Sequence, residues 1–123
     1  MNEKILSVMQ KMIADPKLIA QVVRHGNEYY FKVLPGSFWS IKKWTEEGNT
    51  FYSLYLYPEY YNTLESLPDK NFNANDPESI PFMAFNTIGH PEVQFERTLM
   101  KLLEVVQTRC FGVDDILDSI IKD

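Results

Sequence analysis

The stretch SFWSIKKWTEEGNTFYSLYLY, residues 37–57, decides the fold. Aromatic and β-branched residues alternate with polar ones on both sides of EEGN, residues 46–49, which is typical of two antiparallel strands joined by a tight turn. If Thr45 opposes Thr50 across this turn, every other pairing in the hairpin follows, because successive side chains of a strand point to opposite faces. The pattern therefore predicts strands at 37–45 and 50–57 with a defined register.

This register sorts the side chains of the hairpin into two faces. The first face is mainly aliphatic and holds Trp39, Ile41, Tyr52, Leu54 and Leu56, with Lys43 near its end. The second face pairs Phe38 with Tyr57, Trp44 with Phe51, Ser40 with Tyr55 and Lys42 with Ser53. Its five rings, on Phe38, Trp44, Phe51, Tyr55 and Tyr57, are called the aromatic face below.

A third strand at 28–34 precedes this hairpin, and the Pro35-Gly36 pair indicates the turn between them. A two-residue loop would send Tyr29, Phe31 and Val33 to the aromatic face, whereas a three-residue loop would send them to the aliphatic face. Core burial favours the longer loop, with Gly36 at a positive φ.

Helical periodicity replaces the strand pattern at both ends of the chain. Apolar residues at helical spacing predict a first helix that ends at Ala14, because Pro16 disfavours its continuation. A second helix is predicted from an N-cap at Asp15 to Gly26, with His25 in its last turn. The N-terminal region is therefore expected to form a helix pair.

The C-terminal half is predicted to add a short helix after Pro58, an exposed loop at 68–81 and a fourth strand at 82–88. The longest helix begins at Pro91 and stops at Gly112. A last helix, capped by Asp114, runs to about residue 122 and turns its apolar residues toward a neighbour: Ile116, Leu117, Ile120 and Ile121.

These elements predict one α+β domain over residues 1–123. Its antiparallel sheet has about four strands, a three-stranded meander plus one, with N- and C-terminal helix pairs packed on it. Such a sheet leaves its other face and at least one edge open unless a partner covers them.

Charge and composition narrow the classes of partner. The net charge of −5 and the pI of about 5.0 disfavour nucleic acid and anionic membranes, whose binding draws on Lys and Arg. Residues 59–123 carry twelve acidic and five basic side chains, so a basic partner would meet the protein there. With one cysteine, no leader pattern and no apolar run long enough to span a bilayer, a cytoplasmic setting is expected.

No residue pattern indicates catalysis, a cofactor or a metal. The chain has two histidines, no cysteine pair and no glycine-rich phosphate loop. His25 and His90 are both explained by positions at helix ends. The sequence leaves enzymatic activity undecided and favours a non-enzymatic protein, with no catalytic residue, no cofactor and no metal ligand assigned.

The aromatic face is the strongest functional indication, because Tyr, Trp and Phe are enriched where protein surfaces meet. We expect a protein-binding module that uses this face or a sheet edge to hold a polypeptide, with a homodimer as one arrangement. The order of elements, the size and the acidity resemble those of small bacterial secretion chaperones and small immunity proteins, which implies a chaperone-, adaptor- or immunity-like role. Equally, the chain's own helices could cover these rings.

The alternative hypothesis is a small-molecule-binding domain or minor enzyme. Its pocket would lie between sheet and helices, reached past His90 and the 68–81 loop. Tyr52, Tyr55 and His90 would supply the polar contacts.

Overall fold

The computed structural model describes residues 2–69 and 80–122. Within these ranges the chain forms α1 Asn2–Ala14, β1 Ile19–His25, β2 Glu28–Val33, β3 Ser37–Glu46, β4 Asn49–Tyr57, β5 Met83–Asn86, α2 Val93–Phe111 and α3 Val113–Ile121. Two short 3-10 helices lie at Pro16–Leu18 and Leu64–Asp69. The predicted α+β class, an antiparallel sheet with helices from both terminal regions, is confirmed.

The five strands form one antiparallel sheet in the order β1-β2-β3-β4-β5. The predicted β3–β4 register is confirmed, with Thr45 opposite Thr50. Pairing continues to the last residues of the hairpin, so that only Glu47 and Gly48 form the turn, with φ of 52° and 82°. Positive φ at both positions matches the twist of a two-residue hairpin.

The β2–β3 hairpin adopts the three-residue loop that core burial favours. Val33 lies opposite Ser37, which places Tyr29, Phe31 and Val33 on the aliphatic face. The positive φ predicted at Gly36 is wrong: in the described residues the glycines with positive φ are Gly26, Gly48 and Gly112. The peptide bond between Leu34 and Pro35 in this loop is cis.

The prediction of a second N-terminal helix is wrong, because residues 19–25 form β1 at the edge of the sheet. His25 lies opposite Glu28, and Gly26, with φ of 64°, begins the turn between them. The helix-end role predicted for His25 therefore does not exist. The β-branched residues of this segment gain contacts on both sides of the sheet, since Val22 packs on one core and Val23 on the other.

The main core lies between the aliphatic face and helices α1 and α2. Its fully buried members come from α1, from the sheet and from α2, and include Met9, Met12, Phe31, Ile41, Leu54, Leu99, Leu102 and Val106. Arg109 donates two hydrogen bonds, of 3.0 and 3.2 Å, to the carbonyl oxygen of Ile19. These bonds tie the C-terminal part of α2 to the edge strand β1.

A second core covers the opposite side of the sheet. Residues 58–69, called the covering segment below, place Tyr60, Leu64 and Leu67 against Tyr30, Phe38 and Tyr57. The short helix predicted after Pro58 is its 3-10 helix, and the predicted 68–81 loop falls largely outside the described residues. The sheet is thus covered on both sides where β2, β3 and β4 carry Tyr30, Phe38 and Tyr57.

The C-terminal elements follow the prediction with small shifts. The fourth predicted strand is β5, restricted to Met83–Asn86, and α2 begins at Val93 rather than at Pro91. Gly112, with φ of 61°, closes α2 and also precedes the first turn of α3. The N-cap assigned to Asp114 is therefore wrong, and Asp114 lies in the first turn instead.

Candidate functional site

The aromatic face is divided by the covering segment. Phe38 and Tyr57 lie beneath this segment and are only 5% and 3% exposed to solvent. The ring of Phe38 meets that of Tyr60 edge to face, at 5.0 Å between centroids. The hydroxyl of Tyr60 donates to the carbonyl oxygen of Thr63, which fixes the ring over the sheet. These two predicted contact residues are core residues in this structure.

The other three rings of the aromatic face are half-buried. Trp44 and Phe51 pack on each other at 4.6 Å between centroids, and the indole of Trp44 donates to Ser53 Oγ at 3.0 Å. Tyr55 meets the ring of Phe82 at 5.7 Å, and Lys42 Nζ lies 5.5 Å from the Tyr55 centroid. The predicted platform is thus reduced to three partly accessible rings that already contact neighbours.

A polar cluster that sequence reasoning missed lies next to Tyr55 on this side of the sheet. The buried Ser40 hydroxyl donates to the Glu28 carboxylate at 2.5 Å, and it lies 2.7 Å from the Tyr57 hydroxyl. Burial, followed by the charge of Glu28 and a hydrogen bond to its carboxylate, raises the pKa of Tyr30. Burial also raises the pKa of Tyr57, against the smaller lowering effect of its hydrogen bond to Ser40.

We expect this cluster to make the fold sensitive to alkali. Because the pKa values of Tyr30 and Tyr57 are raised on folding, their contribution to stability is fully present below the ordinary tyrosine pKa of about 10 and is lost as pH rises above it. Above that pH each of the two tyrosines ionises more readily in the unfolded chain than in the fold, which lowers the free energy of unfolding by up to about 1.4 kcal/mol per pH unit. Tyrosinate absorbance and urea unfolding, measured together against pH, test this.

The matched variants are Tyr57→Phe and Tyr61→Phe, since Tyr61 is 85% exposed. The first should reduce the pH slope of stability above pH ~10, and the second should leave it unchanged. Ionisation of all seven tyrosines near pH ~10 with the fold intact would contradict the expectation.

The alternative pocket does not assemble from the three residues predicted for it. Tyr52 is buried in the main core, whereas Tyr55 lies on the opposite side of the sheet. The His90 ring packs on Phe95 at 5.0 Å between centroids, and its backbone N–H donates to the Asn86 carbonyl oxygen at 3.0 Å. The three side chains therefore share no common space.

The surface that stands out instead is the C-terminal helix α3. None of its residues 113–121 is buried. Ile120 and Ile121 are 67% and 80% exposed, and the other large apolar side chains here are also exposed: Phe111, Val113, Ile116 and Leu117. The prediction that the apolar residues of α3 face a neighbour within the chain is wrong.

The exposed apolar residues of α3 form one continuous surface, called the apolar stripe below. Val113, Ile116, Leu117, Ile120 and Ile121 follow the spacing i, i+3, i+4, i+7 and i+8, which places them along a single side of a helix. Asp114 and Asp118 follow one margin of the stripe at a spacing of one turn. Phe111 at the end of α2 is also 49% exposed, and its ring meets that of Tyr29 edge to face at 6.1 Å between centroids.

Comparison of the chain with protein-family models, curated proteins and solved structures gives no match. Function must therefore be argued from geometry.

In the described part of the chain no group of three or more His, Cys, Asp or Glu side chains is arranged to hold a metal ion. No helix within residues 2–69 and 80–122 has both the length and the apolar character to cross a bilayer.

Proposed function

We propose that this protein is a non-enzymatic protein-binding module that contacts a polypeptide through the apolar stripe of α3. The observation that carries the proposal is the exposure of every large apolar side chain between Phe111 and Ile121. A helix that shows a regular apolar side ordinarily buries it, because the hydrophobic effect stabilises the packed form.

The size of the stripe supports a binding role. A fully exposed Leu or Ile side chain presents on the order of 100 Å² of apolar surface, and these six side chains are between 36% and 80% exposed. The exposed total is several hundred Å², which is the size of the functional patches found on soluble proteins. Each of these six side chains is more exposed than Trp44, Phe51 or Tyr55, which are only partly accessible.

The margin of the stripe bears on the chemistry of the partner. Asp114, Asp115 and Asp118 lie together on the polar side of the first two turns of α3, and Lys122 follows its end. An acidic margin attracts basic groups and speeds their association. These charges support a preference for a basic partner, which the charge of residues 59–123 also favours.

Site-specific photo-crosslinking tests this proposal. A photoreactive residue in place of Ile120 should crosslink to a polypeptide, either in the concentrated purified protein or in an extract of the source organism. The same residue in place of Ser119 is the matched control, because Ser119 is turned about 100° around α3 from Ile120, outside the apolar stripe, and should give little product. Absence of any crosslinked polypeptide at position 120 in both samples would overturn the proposal.

A further inference from the structure

An open groove of about 530 Å³ lies between the C-terminal end of α1 and the N-terminal end of α2. Its apolar lining comes from Ile13, Ala14 and Val93, of which Val93 is 60% exposed. Arg97 and Lys101 line it from α2. We call it the α1/α2 groove.

The charge of this groove is opposite to that of α3. The described residues that line it include Arg97 and Lys101 and no acidic side chain, although Lys101 Nζ also lies 3.8 Å from the exposed carboxylate of Glu104. The apolar stripe is bordered by Asp114 and Asp118. An apolar helix with an acidic margin therefore matches an apolar groove with basic residues along it, in the way that helices dock into grooves.

The helix of the same chain does not reach this groove. At 1.5 Å per residue, Val93 and Phe111 lie about 27 Å apart along the axis of α2, whereas the nine residues of α3 span about 14 Å. Starting from Gly112, α3 could fold back over only the C-terminal half of α2. The groove beside Val93 is accessible to the α3 of another molecule.

We infer that two copies of this chain form a dimer in which each places its α3 in the α1/α2 groove of the other; this rests on the proposed function of α3 as a docking helix. Reciprocal exchange of an identical element is a common route to a closed dimer. It buries two stripes and two grooves, on the order of 1,000 Å² in total, which is about the minimum area expected of a biological interface.

Light scattering of purified variants over a range of concentrations tests the dimer. The wild-type protein should be dimeric, and Ile120→Glu in the stripe and Val93→Glu in the groove should both be monomeric. Both positions are exposed, at 67% and 60%, so the substitutions leave the fold intact, which circular dichroism verifies. Arg97→Glu should weaken the dimer about tenfold, since it reverses one charge of the groove.

Two controls carry equally disruptive charges away from the contact. Met100→Glu lies on α2 at a 45% exposed position that does not line the groove, and Ser119→Glu lies on the polar side of α3. Both should remain dimeric. A mixture of the Ile120→Glu and Val93→Glu proteins should recover a weak heterodimer, because one intact helix can still enter one intact groove.

The outcomes separate this inference from the proposed function. A Val93→Glu protein that stays dimeric while Ile120→Glu is monomeric would show stripe-to-stripe pairing, which overturns the groove and keeps α3 as the contact surface. A monomeric wild-type protein that crosslinks to a different polypeptide through position 120 would overturn the dimer alone. A monomer without any crosslinked product would overturn both.

Discussion

Replacing Phe31 by alanine is expected to lower the free energy of unfolding by about 3–5 kcal/mol. Phe31 is fully buried in the main core on β2, between β1 and β3 of the sheet. Its truncation leaves a cavity that the paired strands cannot collapse to fill. Since a domain of this kind has a total stability of about 5–15 kcal/mol, the loss would be a large part of the whole.

Urea denaturation of Phe31→Ala and Leu34→Ala measures the effect. Leu34 lies three residues after Phe31, directly beyond the end of β2, and is 47% exposed in the loop, so its truncation should cost less than about 1 kcal/mol. Equal losses for the two variants would mean that the main core is not organised around β2.

Replacing Leu67 by alanine should cost about 2–5 kcal/mol, which is the second large effect that we expect. Leu67 is fully buried in the covering segment, where it packs with Tyr60 and Leu64 against the sheet. Its removal weakens the contact that holds this segment over Phe38 and Tyr57. The unfolding transition should move as a whole, because the second core shares its strands with the main core.

Tyr61→Ala is the matched control in the same segment, since this side chain is 85% exposed. Its effect should stay within about 0.5 kcal/mol. If Leu67→Ala were as mild as Tyr61→Ala, the covering segment would be only weakly held. The aromatic face would then again be a candidate binding surface.

The strand register that the sequence predicts correctly depends on information local to a hairpin. The β3–β4 register follows from the turn at 46–49 and from the alternation on both sides of it, because a slip by one residue would exchange the faces. The loop at Pro35-Gly36 is resolved by the burial of Phe31. In both cases residues close in sequence determine which side chains share a face.

The failure at β1 has an equally local cause. Pro16 and Gly26 mimic the two ends of a helix, and Ile19, Val22 and Val23 satisfy a helical spacing. The competing signal was present: Gly26-Asn27 between two β-branched segments is a typical two-residue hairpin turn. Contacts with β2 and with both cores override the helical signals.

The site was less predictable because it depends on contacts between distant segments. Whether Phe38 and Tyr57 are covered depends on where residues 58–69 fold after leaving β4, and periodicity contains no such information. Glu28 joins Ser40 only once the β2–β3 register is known. Spacing identifies the apolar side of α3 but not its exposure, since spacing alone does not show which surface covers a helix.

The strand order, in which every strand pairs with its neighbour in sequence, has a consequence for biosynthesis. Such a meander closes mainly short loops, so its hairpins can assemble while the chain is still being made. The long helix that shields Ile41 and Leu54 comes from residues 93–111 and emerges from the ribosome only after all five strands. A nascent or truncated chain that lacks this helix would present a nearly complete sheet whose apolar face is covered by α1 alone, and it would be prone to aggregate until translation finishes.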